Sequence, residues 1–145
     1  MTPEMEFRKD IGQWMKGRWR MTWHEDREIN PGVPDISYVM FNHDCETGWL
    51  ELKAIRQPKT DNYKFTVEPS QHEWISLHAG LVPVHFLMRA GEHIWLVEGK
   101  HHLKLMAPHT LAELNQLGFH MFNEDKLIEL PANLALATHR RRCGI

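Results

Sequence analysis

The chain has 145 residues and a formal net charge of −2 at neutral pH. This length fits one compact domain and is too short for two ordinary ones. Apolar residues make up 42% of the chain and charged residues 25%, close to the averages for globular proteins, which excludes a disordered chain. The slightly negative charge argues against a protein that coats nucleic acid indiscriminately.

Targeting signals and disulfides are not expected. Met1–Asp10 contains no apolar run that could serve as a signal peptide. The longest apolar stretch, Gly80–Met88, is interrupted by proline and histidine and is too short to span a membrane. Cys45 and Cys143 have neither disulfide-framework nor zinc-ligand spacing. We therefore expect a cytoplasmic protein that makes no membrane contact.

The first half of the chain is predicted to form a helix and three strands. The helix follows Pro3 and places apolar residues such as Phe7 and Ile11 on one face. Asn30–Pro34 is a turn, because two prolines and a glycine prevent regular structure there. Asn42–Gly48 is predicted to be a hairpin loop. The predicted bounds are Glu4–Arg18 for the helix and Arg20–His24, Ile36–Phe41 and Trp49–Ile55 for the strands.

The second half continues with helices and strands after a polar loop over Gln57–Tyr63. Pro69 opens a helix that ends near His78, before Gly80. The order α-β-β-β-α-β-β predicts an α/β domain with a mixed sheet. Its core is expected over about residues 6–106 of a single domain, 1–145, with a helical and basic extension over about 107–145. The remaining predictions are strands Leu81–Met88, His93–Val97 and Leu103–Met106, a turn at Ala90–Gly91, and helices Thr110–Leu117 and Pro131–Arg142.

Three Glu-x-Lys pairs occur, and only one has the context of an active site. They are Glu51–Lys53, Glu98–Lys100 and Glu124–Lys126. The second pair closes a strand at a turn, and the third lies in a polar segment. The first pair lies inside an apolar strand, whose alternation places Glu51 and Lys53 on one face and their apolar neighbours on the other.

A hairpin that turns near Cys45 would pair Asp35 close to Ile55, within about two positions of Lys53. Asp35, Glu51 and Lys53 would then converge at one end of the sheet. Carboxylates at such range repel each other unless a cation compensates them. The alternative is a surface strand with an ordinary Glu–Lys pair and a turn aspartate.

The predicted cation is Mg²⁺, with Mn²⁺ as a substitute, because hard cations take oxygen ligands and keep several waters. Its ligands would be Asp35, Glu51 and the peptide oxygen of Leu52. Such a site suits phosphodiester hydrolysis: the metal lowers the pKa of a bound water, and an adjacent lysine orients or deprotonates that water.

Four segments together resemble a known nuclease family. Gly32–Ile36 and Gly48–Lys53 are similar to the core motif of PD-(D/E)xK nucleases. The resemblance is closest to the virus-type replication-repair nuclease group (VRR-NUC). Val67–Trp74 is similar to that group's serine-x-x-glutamine helix start, without the intervening spacing, and Leu77–Val82 matches its Ala-Gly turn into the next strand.

The resemblance implies a restriction-endonuclease-like fold, with a mixed central sheet flanked by helices, and a magnesium-dependent DNA endonuclease. It implies that Asp35 and Glu51 bind the metal and that Lys53 is the catalytic lysine. Gln71 would lie at the helix start, near the phosphate or the metal-bound water. The alternative role for Gln71 is a contact with backbone at the start of the helix.

The family often supplies another acid from the first helix. Glu6 is our choice as this further catalytic and metal-binding residue, with Glu4 and Asp10 as alternatives. His24, just ahead of the proline turn, is either a surface histidine or a group that approaches the phosphate. His101–His102 would point to opposite faces of a strand, so no zinc site is predicted there.

The expected partner is DNA, without a small-molecule cofactor. A small chain covers little DNA, so a homodimer that presents two active sites is expected, acting on branched DNA such as a four-way (Holliday) junction or a flap in phage or bacterial recombination, repair or replication. Arg140–Arg142 are predicted to contact the DNA backbone. Three alternatives stay open: an inactive DNA-binding module on a nuclease fold, an RNA-directed nuclease, and a structural viral protein with a chance motif.

Overall fold

The computed structural model describes residues 1–17, 19–25, 31–40 and 47–122. Several predictions concern residues outside these ranges. They are most of the Asn42–Gly48 loop, the Glu124–Lys126 pair, the helix Pro131–Arg142 with its three arginines, and both cysteines.

The described chain folds into one sheet with helices on both faces. Its elements are α1 (Pro3–Met15), β1 (Trp19–Trp23), β2 (Ile36–Met40), β3 (Thr47–Ile55), α2 (Pro69–His78), β4 (Val84–Ala90), β5 (His93–Glu98), a 3-10 helix (Gly99–Met106), α3 (Leu111–Leu117) and β6 (Phe119–Phe122). The first seven follow the predicted order.

The six strands lie in the sheet in chain order, β1 to β6. The β3–β4 pair is parallel and is connected through α2, whereas the other four pairs are antiparallel. The predicted α/β class, with a mixed central sheet flanked by helices, is confirmed. No helix among the described residues is long and apolar enough to cross a membrane.

Helix α1 covers one face of the sheet. The Thr2 side chain accepts a hydrogen bond from the Met5 N–H, and Pro3 opens the first turn, a favourable start because the first helical N–H groups have no partner within the helix. Phe7, Ile11 and Met15 are fully buried at helical spacing. They belong to the same apolar cluster as Leu50, Leu52 and Leu87 of the central strands.

Helices α2 and α3 and the 3-10 helix cover the other face. Their buried residues Ile75, Leu105 and Leu114 join a cluster with Phe86, Met88 and Trp95 of the sheet. Trp49 and Ile55 of β3 pack on this cluster, so the alternate residues Glu51 and Lys53 lie on the α2 face. The predicted alternation of β3 is confirmed.

The β2–β3 register differs from the prediction by four residues. Ile36 pairs with Leu50, so Asp35 lies beside Glu51 rather than near Ile55. Strand β3 begins two residues earlier than predicted, because Thr47 pairs with Val39 of β2. A shift by an even number of residues leaves every side chain on its expected face. It also brings Asp35 closer to Glu51.

Two further predictions about secondary structure are wrong. Leu103–Met106, predicted as a strand, is the end of the 3-10 helix. The predicted strand over Leu81–Met88 begins only at Val84, after Pro83, since proline cannot donate to a sheet ladder. Strand β6, which was not predicted, pairs with β5. Together with α3, it packs a part of the predicted extension onto the core.

Candidate active site

The turn before β2 positions Asp35, the first of the predicted site residues. Gly32 has a φ of +82°, and a Cβ added there would come within 2.0 Å of the Ser70 carbonyl oxygen, so only glycine lets this turn touch the start of α2. The Asp35 side chain is buried. Its Oδ2 accepts a hydrogen bond from the Leu52 N–H at 2.9 Å.

Glu51 faces Asp35 from the neighbouring strand. The Asp35 N–H donates to Glu51 Oε2 at 3.2 Å, and the glutamate is only 1% exposed. Burial raises the pKa of Glu51 well above its ordinary value, and the adjacent charge of Asp35 raises it further; Lys53 opposes this shift. A positive charge beside these two adjacent acids would therefore stabilise their ionised forms.

Gln71 connects Glu51 with Lys53. Its Nε2 donates to Glu51 Oε1 at 2.8 Å, and its Oε1 accepts from Lys53 Nζ at 2.8 Å and from the Glu68 N–H at 2.9 Å. The amide oxygen thus meets two donors and the amide nitrogen meets a carboxylate, which fixes its orientation. Gln71 contacts backbone at the helix start, as the alternative predicted, and also joins the site.

Lys53 is held close to both partners. Its Nζ lies 3.6 Å from Glu51 Oε1, and the residue is 7% exposed. A buried ammonium is retained where it is paired and hydrogen-bonded, as it is here by Glu51 and Gln71. The structure thus brings together four of the five predicted site side chains: Asp35, Glu51, Lys53 and Gln71.

The peptide oxygen of Leu52 lies on the Asp35 side of β3. The N–H and C=O of one strand residue point to the same neighbour, and the Leu52 N–H points to Asp35. The β2–β3 ladder ends at the Ile36–Leu50 pair, so this stretch of β3 lies beyond the paired part of β2. The role of this oxygen as a metal ligand stays a prediction.

Arg8 is a site residue that the sequence did not reveal. Its Nη1 donates to Asp35 Oδ1 at 2.8 Å, and its Nη2 donates to Glu25 Oε1 at 3.2 Å. The guanidinium also lies over the Trp23 ring, 5.0 Å from its centroid. The Arg8–Asp35 contact spans 27 residues of sequence, and no local pattern predicts such a pairing.

The acid of helix α1 that acts electrostatically on Glu51 is Glu4, whereas Glu6 had been predicted. The charge of Glu4 contributes to the raised pKa of Glu51. Glu6 is exposed and lines a separate cleft with Asp10 and Arg89, and Asp10 forms an ion pair with Arg89 at 2.8 Å. Residues two apart on a helix point to different sides. A helix that directs Glu4 towards Glu51 therefore directs Glu6 away from it.

Histidines surround the cluster without entering it. The His24 N–H donates to the Asp35 carbonyl, and its ring contacts Ser37 and Trp49. His72, next to Gln71, has a pKa lowered by partial burial and by the charge of Lys53. His102 bonds to His72 and Ser76. Over the described ranges, no three His, Cys, Asp or Glu side chains form a group arranged to hold a metal.

A magnesium ion fits the donor set that is present. Asp35 and Glu51 supply carboxylate oxygens, and Leu52 supplies a peptide oxygen on the same side. Mg²⁺ is commonly bound by only one or two carboxylates, with waters and substrate phosphates completing its shell, so a third acidic side chain is not required. Because Arg8 occupies Asp35 Oδ1, a cation would compete with its guanidinium.

No known protein-family model matches this chain, and no curated protein is significantly similar to it.

Proposed function

We propose that the protein is a magnesium-dependent nuclease that hydrolyses phosphodiester bonds in DNA. One observation carries the proposal: Asp35 and Glu51 are buried side by side, and Gln71 ties Glu51 to Lys53. A buried pair of acids is costly for stability, and such cost is typical of functional sites.

The proposed reaction assigns a role to each residue. Asp35 and Glu51 would hold the ion, which, when bound, makes water a stronger nucleophile and offsets charge on the phosphate. The Lys53 ammonium would orient the attacking water. Gln71 would keep the Lys53 ammonium within reach of Glu51 and the water, so it acts as a positioning residue.

The first turn of α2 supports an anionic substrate. Gln71 lies in that turn, and helix N-termini favour negative charge. Lys53 adds a full positive charge beside it. A phosphate that reached this turn would meet the ammonium and the helix N-terminus together, next to the acids that would hold the ion.

The second candidate function is an inactive DNA-binding module that kept a nuclease fold. The Arg8–Asp35 ion pair favours it, because Asp35 already has a cationic partner without a metal. The two functions differ in one measurable property. A nuclease cleaves DNA when Mg²⁺ is added, whereas the module only binds it.

The test is cleavage of labelled linear, nicked, flapped and four-way DNA, and of RNA, with different cations. We expect activity with Mg²⁺ or Mn²⁺ and little with Ca²⁺, since calcium accepts the same ligands at longer and looser geometry and aligns the water poorly. Undiminished cleavage in excess chelator would refute the metal mechanism. Binding without cleavage under every condition would favour the inactive module.

A further inference from the structure

A basic groove runs along α1 and β1, outside the cluster of Asp35, Glu51, Lys53 and Gln71. It is an open depression of about 590 Å³, lined by Arg8, Lys9, Gly12, Gln13, Lys16 and Trp23, with Glu25 at its edge. Three of these residues are cationic. The acidic one, Glu25, is already paired with Arg8, so the remaining charge of the groove is positive.

The cations follow one side of the helix. Lys9, Gln13 and Lys16 are separated by four and three residues, the spacing of neighbours on a helix surface, and all three are exposed. At 1.5 Å per residue, Lys9 and Lys16 are about 10 Å apart along the axis. The two ammonium groups are therefore far enough apart to contact different phosphates of one strand.

Gly12 keeps part of the groove open. Glycine within a helix destabilises it relative to alanine, and no neighbour among the described residues demands glycine at this position. The nearest atom to an added Cβ would be Cζ2 of Trp23, at 3.8 Å, which is an ordinary contact. The missing side chain therefore leaves open space on the floor of the groove, between Trp23 and the lysines.

Arg8 connects the groove with the candidate active site. Its guanidinium lies against Trp23 inside the groove and donates to Asp35 at 2.8 Å. A strand that leaves the site past Asp35 would reach Arg8 first and the two lysines next. Guanidinium and ammonium groups are the usual partners of nucleic-acid phosphates.

We propose that this groove binds the phosphate backbone of the DNA strand whose scissile phosphate lies at Asp35 and Glu51. The inference rests on the proposed function and adds the path of the substrate across the protein. The contacts are to phosphates, so they hold the strand without reading its sequence.

The experiment measures the salt dependence of DNA binding by the full chain. Fluorescence anisotropy with a labelled four-way junction, in chelator so that no cleavage occurs, compares the wild type with Lys9→Ala/Lys16→Ala and with Gly12→Leu. The matched control is Lys59→Ala/Lys104→Ala, which removes two exposed lysines elsewhere.

Loss of two phosphate contacts should reduce the slope of log affinity against log salt by about 1.8, with weaker binding at low salt. The control should keep the wild-type slope. Gly12→Leu should weaken binding without a change in charge, because its side chain would fill the groove. Circular dichroism and thermal unfolding would establish that each variant is folded.

The outcomes separate this inference from the proposed function. If the wild type cleaves DNA and the lysine variant keeps its slope, the groove proposal is wrong and the nuclease proposal stands. If the wild type is inactive with every metal and the slope still falls, the groove is supported and catalysis is refuted. If the variant loses binding to vesicles containing phosphatidylserine but keeps its DNA affinity, the groove serves a membrane surface and the proposal is wrong.

Discussion

Three ionisable side chains are buried in one part of the sheet, each less than 8% exposed: Asp35, Glu51 and Lys53. Apolar side chains of similar volume would be cheaper there, since a buried ion pair seldom repays its desolvation. The three instead share hydrogen bonds with Gln71 and with backbone N–H groups. Such departures from stable packing are expected where function requires them.

The first prediction is that Asp35→Asn, Glu51→Gln and Lys53→Met each abolish most of the cleavage. Each change keeps the size of the side chain and removes a charge that the ion or the water requires, so a loss of at least a hundredfold in kcat is expected, roughly the contribution of one acid–base group. Single-turnover cleavage with saturating Mg²⁺ measures it. The control Glu98→Gln/Lys100→Met, which removes an exposed ion pair, should change the rate little.

The second prediction is that Glu51→Gln, which inactivates the protein, gains stability relative to the wild type as the pH rises. The folded-state pKa of Glu51 is raised above its unfolded value, so the stability it contributes is present at low pH and is lost as pH rises through the folded pKa. A neutral glutamine lacks that loss. Urea unfolding at pH 5 and pH 8 should show that the difference in stability shifts in favour of the variant at the higher pH. A constant difference would mean that Glu51 does not titrate in this way.

The third prediction concerns His85, a buried residue whose two ring nitrogens find no hydrogen-bond partner within the described parts of the chain. Burial lowers the pKa of His85 to about 4. The unfolded state therefore takes up the proton first, and stability is lost as pH falls from about 6.5 through 4. Two to three pH units correspond to about 3 kcal/mol.

His85→Met should remove this acid sensitivity, because methionine is of similar size, is apolar and does not titrate. The gain in stability over the wild type should be larger at pH 4.5 than at pH 7.5. Thermal unfolding at the two pH values measures it. Equal gains at both would show that His85 titrates normally in the folded protein.

Among the elements, the turn before β2 fixes the distance between Asp35 and α2. The fourth prediction is that Gly32→Ala destabilises the protein and lowers activity, because the added Cβ meets both an unfavourable φ and the Ser70 carbonyl oxygen. Gly17→Ala is the matched control, since Gly17 has a φ of +76° and no atom within 4 Å of an added Cβ. Its cost should be only the backbone strain, about 1 kcal/mol.

Denaturant unfolding and kcat are measured for both variants. Together they distinguish backbone strain in the glycine turn from displacement of Asp35. Gly32→Ala should lose more stability than Gly17→Ala and should also lose activity, because Asp35 moves relative to Gln71. Equal losses of stability with full activity in both would show that the contact between the turn and α2 does not position the site.

Elements with a local signal could be predicted from sequence, and those set by distant contacts could not. Helix α2 has proline at its start, and β3 alternates, so both were found, and with them Glu51, Lys53 and Gln71. The β2–β3 register depends on a loop length that residue types do not specify. Strand β6 is short and exposed on one face, which leaves little pattern to detect.

The charged partners of the site show the same division. Arg8 meets Asp35 only because α1 folds across the sheet, and the choice between Glu4 and Glu6 depends on the rotation of that helix. A helical pattern gives the buried face through Phe7 and Ile11, yet it does not say which flanking acid approaches β3. Tertiary packing decided both.

At the scale of the whole molecule, the candidate site lies where α1 and α2 approach the same end of the central strands. Arg8 reaches Asp35 from α1, and Gln71 reaches Glu51 from α2. The basic groove continues from Arg8 along α1. If both proposals hold, a single chain would engage one DNA strand at one place.

The last prediction is that a homodimer acts on branched DNA, with a four-way junction preferred over a flap. Cutting two strands in concert requires two sites, and two-fold symmetry of a dimer matches the approximate symmetry of an open junction. Affinity drawn from phosphates gives no base preference, so selection must come from where the backbone reaches both sites and grooves at once.

Size-exclusion chromatography with light scattering should give twice the chain mass, and cleavage mapping on a fixed junction should show paired cuts in opposing strands. Lys9→Ala/Lys16→Ala should reduce both cuts equally, because each protomer carries the same groove. A monomer that cuts linear duplex as fast as the junction would refute the dimer and the branched substrate together, and would leave the metal-dependent chemistry of Asp35 and Glu51 to be judged by its own variants.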